Sequence, residues 1–158
     1  MTENERLEAI EQIQRLKARY FRCMDTKDWA GLEGVFGPDS VMDMRGENRT
    51  GGPAEDQYHT GAANIVRFMR SHIETVTTVH HGHTPEIDIT GPDSAKGIWA
   101  MEDMLRWPEG APLKWLHGFG HYHETYRHDG KRWYILTTTL TRLRGDAGDD
   151  DDIVLEQH

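Results

Sequence analysis

The chain has 158 residues, 36% of them apolar and 28% charged, with a formal net charge of −9. That is enough for one domain with a real core and too little for two ordinary ones. No run approaches the roughly 18 apolar residues of a membrane span, and no basic stripe is available to neutralise phosphates, so membrane and nucleic acid are both poor partners.

The opening MTENERLEAIEQ is acidic and amphipathic, without the basic and apolar regions of a secretory signal. Leu7, Ile10, Ile13, Leu16, Tyr20 and Met24 recur at three- and four-residue steps, which predicts a long helix ending near Asp25. Thr2 and Glu5 form its capping box. KDWAGLEGVF predicts a short second helix with Asp28 as N-cap. GPDS reads as a turn, SVMDMR as a short strand and GENRTGGPAED as a Gly-rich loop. A third helix fits GAANIVRFMRSHI, with Ile65, Phe68, Met69 and Ile73 on one face. A single cysteine, Cys23, rules out an internal disulfide and fits a cytoplasmic location.

The second half changes character. Residues 75–90, 94–107, 113–128 and 132–144 read as long strands rich in Thr, Val, Ile, Trp and Tyr, separated by TGPD, PEGAP and HDGKR. Helices followed by an antiparallel meander predict an α+β fold: a curved sheet wrapping the N-terminal helices, with an open-mouthed cavity suited to a small hydrophobic ligand. The domain is expected over residues 1–145. The remainder, 146–158, carries six acids and no Lys or Arg. It reads as a solvated, flexible tail, and its acidic run lacks the Gly and terminal Glu of a calcium loop.

Several polar residues sit in apolar places. Trp99, Met101, Leu105 and Trp107 share a strand face with Asp103, a costly position for an unpaired carboxylate. Tyr20 lies on the apolar face of the first helix, while Asp25, about 140° further round, can join it only where the helix ends. In the last strand Leu140, Arg142 and Arg144 share one parity. TVHHGHTPEI and GHYHE concentrate five histidines. By spacing alone His81/His83 and His121/His123 could form a metal tetrad. In one unbroken strand His81 and His83 would share a face with Val79, Ile87 and Ile89, and His80 would point away. Gly82 and Pro85 interrupt the run, and a bulge there would reverse the parity, so alternation leaves the inward histidine open.

RLKARYFRCMDTKDWAGLEGVFGPDS, VHHGHTPEIDI, GIWAMEDML and DGKRWYILTTTLTRLR together resemble, in order and spacing, the SnoaL-like branch of the NTF2-like superfamily. YFRCMD, HxGHTPEI and WxxED are most similar to the bile acid dehydratase pattern, and the likeness to scytalone dehydratase is more distant. The resemblance implies a cone-shaped α+β barrel and a site without metal or cofactor. Its site would join Tyr20, Asp25, His80, Asp103 and Arg142. It departs from scytalone dehydratase at Met44, where that family has a tyrosine, and His81, His121 and His123 have no counterpart.

These residue types make a coherent acid–base site. An imidazole can take a proton from carbon and deliver one to a leaving hydroxyl, a carboxylate can fix its tautomer, and a tyrosine can donate to an oxygen that gains charge. The expected activity is a dehydratase acting on a hydrophobic cyclic compound such as a steroid or polyketide. Arg142 would anchor a carboxylate or hold Asp103, and either aspartate could orient His80. An isomerase or cyclase using the same residues, or a non-catalytic ligand-binding module, are the alternatives. Ile98, Ala100, Glu102 and Met104 are left on the outer face of the sheet. That mostly apolar patch predicts a homo-oligomer, a trimer first because the resembling dehydratases are trimers, and a dimer second.

Overall fold

The structure, a computed structural model, describes residues 1–47 and 54–149. Three helices come first or are interleaved with two short strands: α1 (Glu3–Asp25), α2 (Trp29–Glu33), β1 (Phe36–Asp43), β2 (Tyr58–Thr60) and α3 (Ala62–Ile73). Five strands follow: β3 (Thr77–Gly82), β4 (Glu86–Gly91), β5 (Ser94–Arg106), β6 (Trp115–His128) and β7 (Trp133–Gly148). The seven strands form one sheet in the order β2-β1-β7-β6-β5-β3, with β4 also on β5. The sheet is curved, mixed and mostly antiparallel. It does not close, and β2 and β3 are its edges.

The helices begin and end as their sequences dictate. Thr2 and Glu5 make the reciprocal capping box of α1. The Asp28 side chain accepts from the Gly31 N–H at 2.9 Å and caps α2. Ile13, Leu16, Tyr20 and Met24 of α1 and Ile65 and Met69 of α3 are buried against Trp99, Met101, Tyr122, Ile135 and Leu140 of the sheet. The core is this layer between helices and strands. No helix among the described residues is long and apolar enough to cross a membrane.

Three features depart from the sequence reading. The expected strand 75–90 is two strands: both pair with β5, and the four steps from Gly82 to Glu86 lie opposite the three from Met101 to Ile98. The extra residue reverses parity, so Thr78 and His80 point inward before it and Ile87 and Ile89 after it. The first strand begins earlier than expected and pairs in parallel with β7, which local pattern does not announce. The last strand runs to Gly148, beyond 144, and the acidic run from 150 lies outside the described residues, as do residues 48–53 of the Gly-rich loop.

A bulge also divides the two arginines of β7. Phe119 pairs with Arg144 and Gly120 with Arg142, so one residue, Leu143, is extra. The arginines therefore do not share a face: the Arg142 side chain is 16% exposed and that of Arg144 71%.

The face of the sheet away from the helices carries Ile98, Ala100, Glu102 and Met104, as alternation requires, with Val79 and Phe119 beside them. Val79 and Ile98 are 39% and 38% exposed. We propose that this face joins copies of the chain, a trimer before a dimer. Light scattering in moderate salt at micromolar concentration is expected to give a multiple of 18.2 kDa; the mass of a single chain overturns the proposal.

Candidate active site

Asp25 is the last residue of α1, and it lies against β3. Its Oδ1 accepts from His80 Nδ1–H at 2.6 Å and from Thr78 Oγ1–H at 2.8 Å. Its Oδ2 accepts from the His80 backbone N–H at 2.9 Å. Burial alone would raise this carboxyl. The His80 side-chain and backbone hydrogen bonds, the nearby imidazole and Thr78 outweigh it and hold Asp25 below the usual carboxylate range. Lys27 Nζ donates to Thr78 Oγ1 at 2.9 Å and extends the chain of contacts. A carboxylate can only accept, so Nδ1 carries the hydrogen, and in its neutral form an imidazole held this way keeps its lone pair on Nε2.

His80 is buried, stacks on the Phe21 ring and lines a cavity. Tyr20, Asp103 and Arg142 line the same cavity. Asp25 does not. It meets the imidazole from the side, so the 140° offset from Tyr20 along α1 creates no conflict. Asp103 stands directly across from His80 in the β3–β5 register. Arg142 grips it with Nη1–Oδ1 and Nη2–Oδ2 contacts of 2.6 Å each. This bidentate pairing is the strong form of the interaction. Of the two roles expected for Arg142, holding Asp103 is the one the geometry displays.

Gly118 makes room for that pair. It faces Asp103 from β6, and a Cβ there would land on the Arg142 guanidinium and the Asp103 carboxylate.

Tyr122 was not singled out by sequence reasoning. It lines the cavity, and its hydroxyl is hydrogen-bonded to that of Tyr20. Burial, with nearby carboxylates, raises both phenols well above their ordinary value, so they stay neutral and act as hydrogen-bond donors. Behind them lies a wholly buried ion pair, Lys17 Nζ–Glu124 Oε1 at 2.6 Å. The ammonium sits 4.2 Å from the Tyr20 ring centre and 3.6 Å from that of Tyr122. Glu124 also accepts from Tyr126 at 2.5 Å and Thr138 at 3.1 Å, and Tyr126 accepts from Trp99 at 2.7 Å. The signal for this network was present. Lys17 falls four residues after Ile13 and three before Tyr20, and Glu124 shares its strand parity with Tyr122 and Tyr126.

The other histidines lie elsewhere. His117 Nε2 contacts Glu102 Oε1 at 2.7 Å on the outer face, and His81 and His83 are 3.9 and 3.7 Å from the same carboxylate. The His117 hydrogen bond holds Glu102 below its ordinary range. His121 and His123 follow on the same face, His123 bonded to Thr141 at 3.0 Å. Among the described residues no group of three or more His, Cys, Asp or Glu side chains is placed to hold a metal ion. His72 sits at the mouth of the cavity, with Nδ1–H donating to the Phe68 carbonyl at 2.9 Å.

Comparison with known proteins places this geometry in context. The SnoaL-like domain family matches residues 5–139. A protein of Gibberella zeae provisionally named as a cyclase is 29% identical over 139 residues, which span 86% of this chain and 92% of that protein. The hexachlorocyclohexane dehydrochlorinase of Novosphingobium barchaimii superposes with a TM-score of 0.79 at 13% identity, covering 94% of this chain and 95% of its own. A Novosphingobium aromaticivorans protein provisionally named as a scytalone dehydratase gives 0.79 at 17% identity, covering 94% and 93%. At such identities the two structures speak for the fold alone.

Two outcomes follow from the geometry. The Asp25 carboxyl titrates lower in the folded chain than in the unfolded one, so its stabilisation is complete above the unfolded value and is lost as pH falls through the depressed folded value. Urea titrations are expected to show Asp25→Asn less stable than the parent at neutral pH, with the gap closing below the usual carboxylate range. Gly118→Ala is expected to cost on the order of 1–3 kcal/mol by overpacking, lowering the melting midpoint by a few degrees in scanning fluorimetry. Gly46→Ala, where a Cβ meets nothing within 4 Å, is expected to leave it unchanged.

Proposed function

Because the chain belongs to the SnoaL-like domain family of the NTF2-like superfamily, we propose that it is a cofactor-independent lyase that removes water from a hydrophobic cyclic substrate. The observation that carries this reading is the Asp25–His80 pair, which leaves the Nε2 lone pair on a buried imidazole at the cavity wall. Nε2 takes a proton from the carbon next to a carbonyl. The imidazolium that forms is stabilised by the Asp25 carboxylate. Charge gathers on the carbonyl oxygen, and the neutral Tyr20 hydroxyl, supported by that of Tyr122, is the donor that meets it. The C–H electron pair becomes the new double bond, the C–O bond to the leaving hydroxyl breaks, and the imidazolium proton leaves with it as water. Asp103, held by Arg142, fixes the polarity of the sheet wall beside His80.

A second reading, cyclase or isomerase, is favoured by the name of the Gibberella zeae relative. It shares the first proton transfer and differs only in where the proton and electron pair go next. The names cyclase, dehydratase and dehydrochlorinase among the relatives and structural neighbours are compatible with either reading.

The shared step can be measured without the natural substrate. Proton NMR in heavy water follows exchange of the α-protons of tetralone, a cyclic ketone. The parent is expected to accelerate exchange. His80→Ala should lose about a hundredfold or more of that acceleration, and Asp25→Asn about tenfold or more. If tetralone binds and exchange is the same with parent and both variants, the chain is a binding module and the lyase reading fails.

A further inference from the structure

The cavity at His80 has a volume of about 210 Å³. An apolar cavity of roughly 150 Å³ holds a benzene molecule. The space beside His80 therefore encloses one substituted ring or two fused rings, and a four-ring skeleton would extend beyond it. Four methionines, Met24, Met42, Met44 and Met69, line the space together with Leu105 and Leu140. Thioethers are polarizable and adaptable, and they pack well on ring faces and edges. The polar groups gather around Tyr20, Tyr122, His80 and the Asp103–Arg142 pair, so the occupant has one oxygenated end and an apolar body.

Charge narrows the class further. Arg142 is engaged on both oxygens of Asp103, and Lys17 is engaged by Glu124 behind the tyrosines. Asp25 and Asp103 set two carboxylates about the imidazole, and the cations near them are already engaged, Arg142 by Asp103 and Lys27 by Thr78 beside Asp25. An anionic head group would meet this field in a partly dry site and lose its hydration without gaining a partner.

We propose that the site takes an uncharged carbonyl or hydroxyl compound of one ring or two fused rings, its oxygen against Tyr20 and Tyr122, in preference to carboxylates and four-ring skeletons. The placement of the reacting carbon rests on the elimination proposed above; the size and charge selection does not. A steroid, expected from the sequence, falls outside this class.

Calorimetric titration of the full chain with three probes tests it: tetralone, naphthoate and the steroid ketone androstenedione. Tetralone is expected to bind saturably, at least about tenfold tighter than naphthoate, and androstenedione not to saturate. Met44→Trp, which narrows the cavity without touching the acid–base groups, is expected to weaken tetralone at least about tenfold. A folded Leu105→Trp variant repeats that measurement from the opposite strand. Absence of saturable tetralone binding, androstenedione binding as tight as tetralone, naphthoate binding as tight as tetralone, or tetralone affinity unchanged in both narrowed variants each overturns the proposal. Failure of the elimination reading looks different: the three-probe ranking holds while His80→Ala exchanges α-protons as fast as the parent.

Discussion

Three hydrogen bonds converge on the Asp25 carboxylate, where α1 stops beside a free edge of the sheet. An edge strand leaves alternate N–H groups without a strand partner. In β3 the His80 N–H is taken by Asp25, so a helix terminus does the work of a missing neighbour strand. The same carboxylate then fixes the His80 ring from its own side chain. Backbone and imidazole are held by one group, so the ring cannot turn without disturbing the strand. This is a rigid form of preorganisation: the contacts that close the fold at its edge also select which ring nitrogen faces the cavity.

The far side of the cavity depends on a different balance. Lys17 and Glu124 are fully buried, and such a pair is tolerable only when its remaining hydrogen-bonding capacity is used. Here Thr138, Tyr126 and, through Tyr126, Trp99 use it on the carboxylate side, while the rings of Tyr20, Phe21 and Tyr122 face the ammonium. The helix is thus registered against β5, β6 and β7 by polar contacts as well as by burial. Removing either charge alone would strand the other in a dry core, a loss of about 3–5 kcal/mol in comparable cases. The tyrosine hydroxyls owe their positions to this support.

Helix content and most of the strand layout were legible because they are local. Apolar spacing located α1 and α3, Asp28 announced α2, and turn signals bounded β5, β6 and β7 to within a few residues. The misplaced parts share a cause. The parity of His80 depends on one extra residue between Gly82 and Glu86 relative to β5, and that offset exists only once the strands pair. The split between Arg142 and Arg144 depends in the same way on a bulge opposite Phe119 and Gly120. The parallel contact of β1 with β7 joins segments almost at opposite ends of the domain. Resemblance to a family named the five residues Tyr20, Asp25, His80, Asp103 and Arg142; alternation could not have turned His80 inward. Tyr122, Lys17 and Glu124 followed the periodicities that located their neighbours, but a polar residue on an apolar face is easily read as ordinary.

The parallel β1–β7 contact also sets an order of events. Two strands from opposite ends of a domain meet only after a long loop closes, which makes such pairings slow. β7 is the last strand to leave a ribosome that adds about 5–20 residues each second. Until it arrives, β1 lacks its main partner, Asp103 lacks Arg142 and the cavity lacks the Leu140 wall. The Asp25–His80 pair needs α1, β3 and the strand β5 that holds β3, all of which precede β7 in the chain. A nascent chain would therefore acquire its base early and its enclosure late, and no competent pocket exists before the last strand has docked.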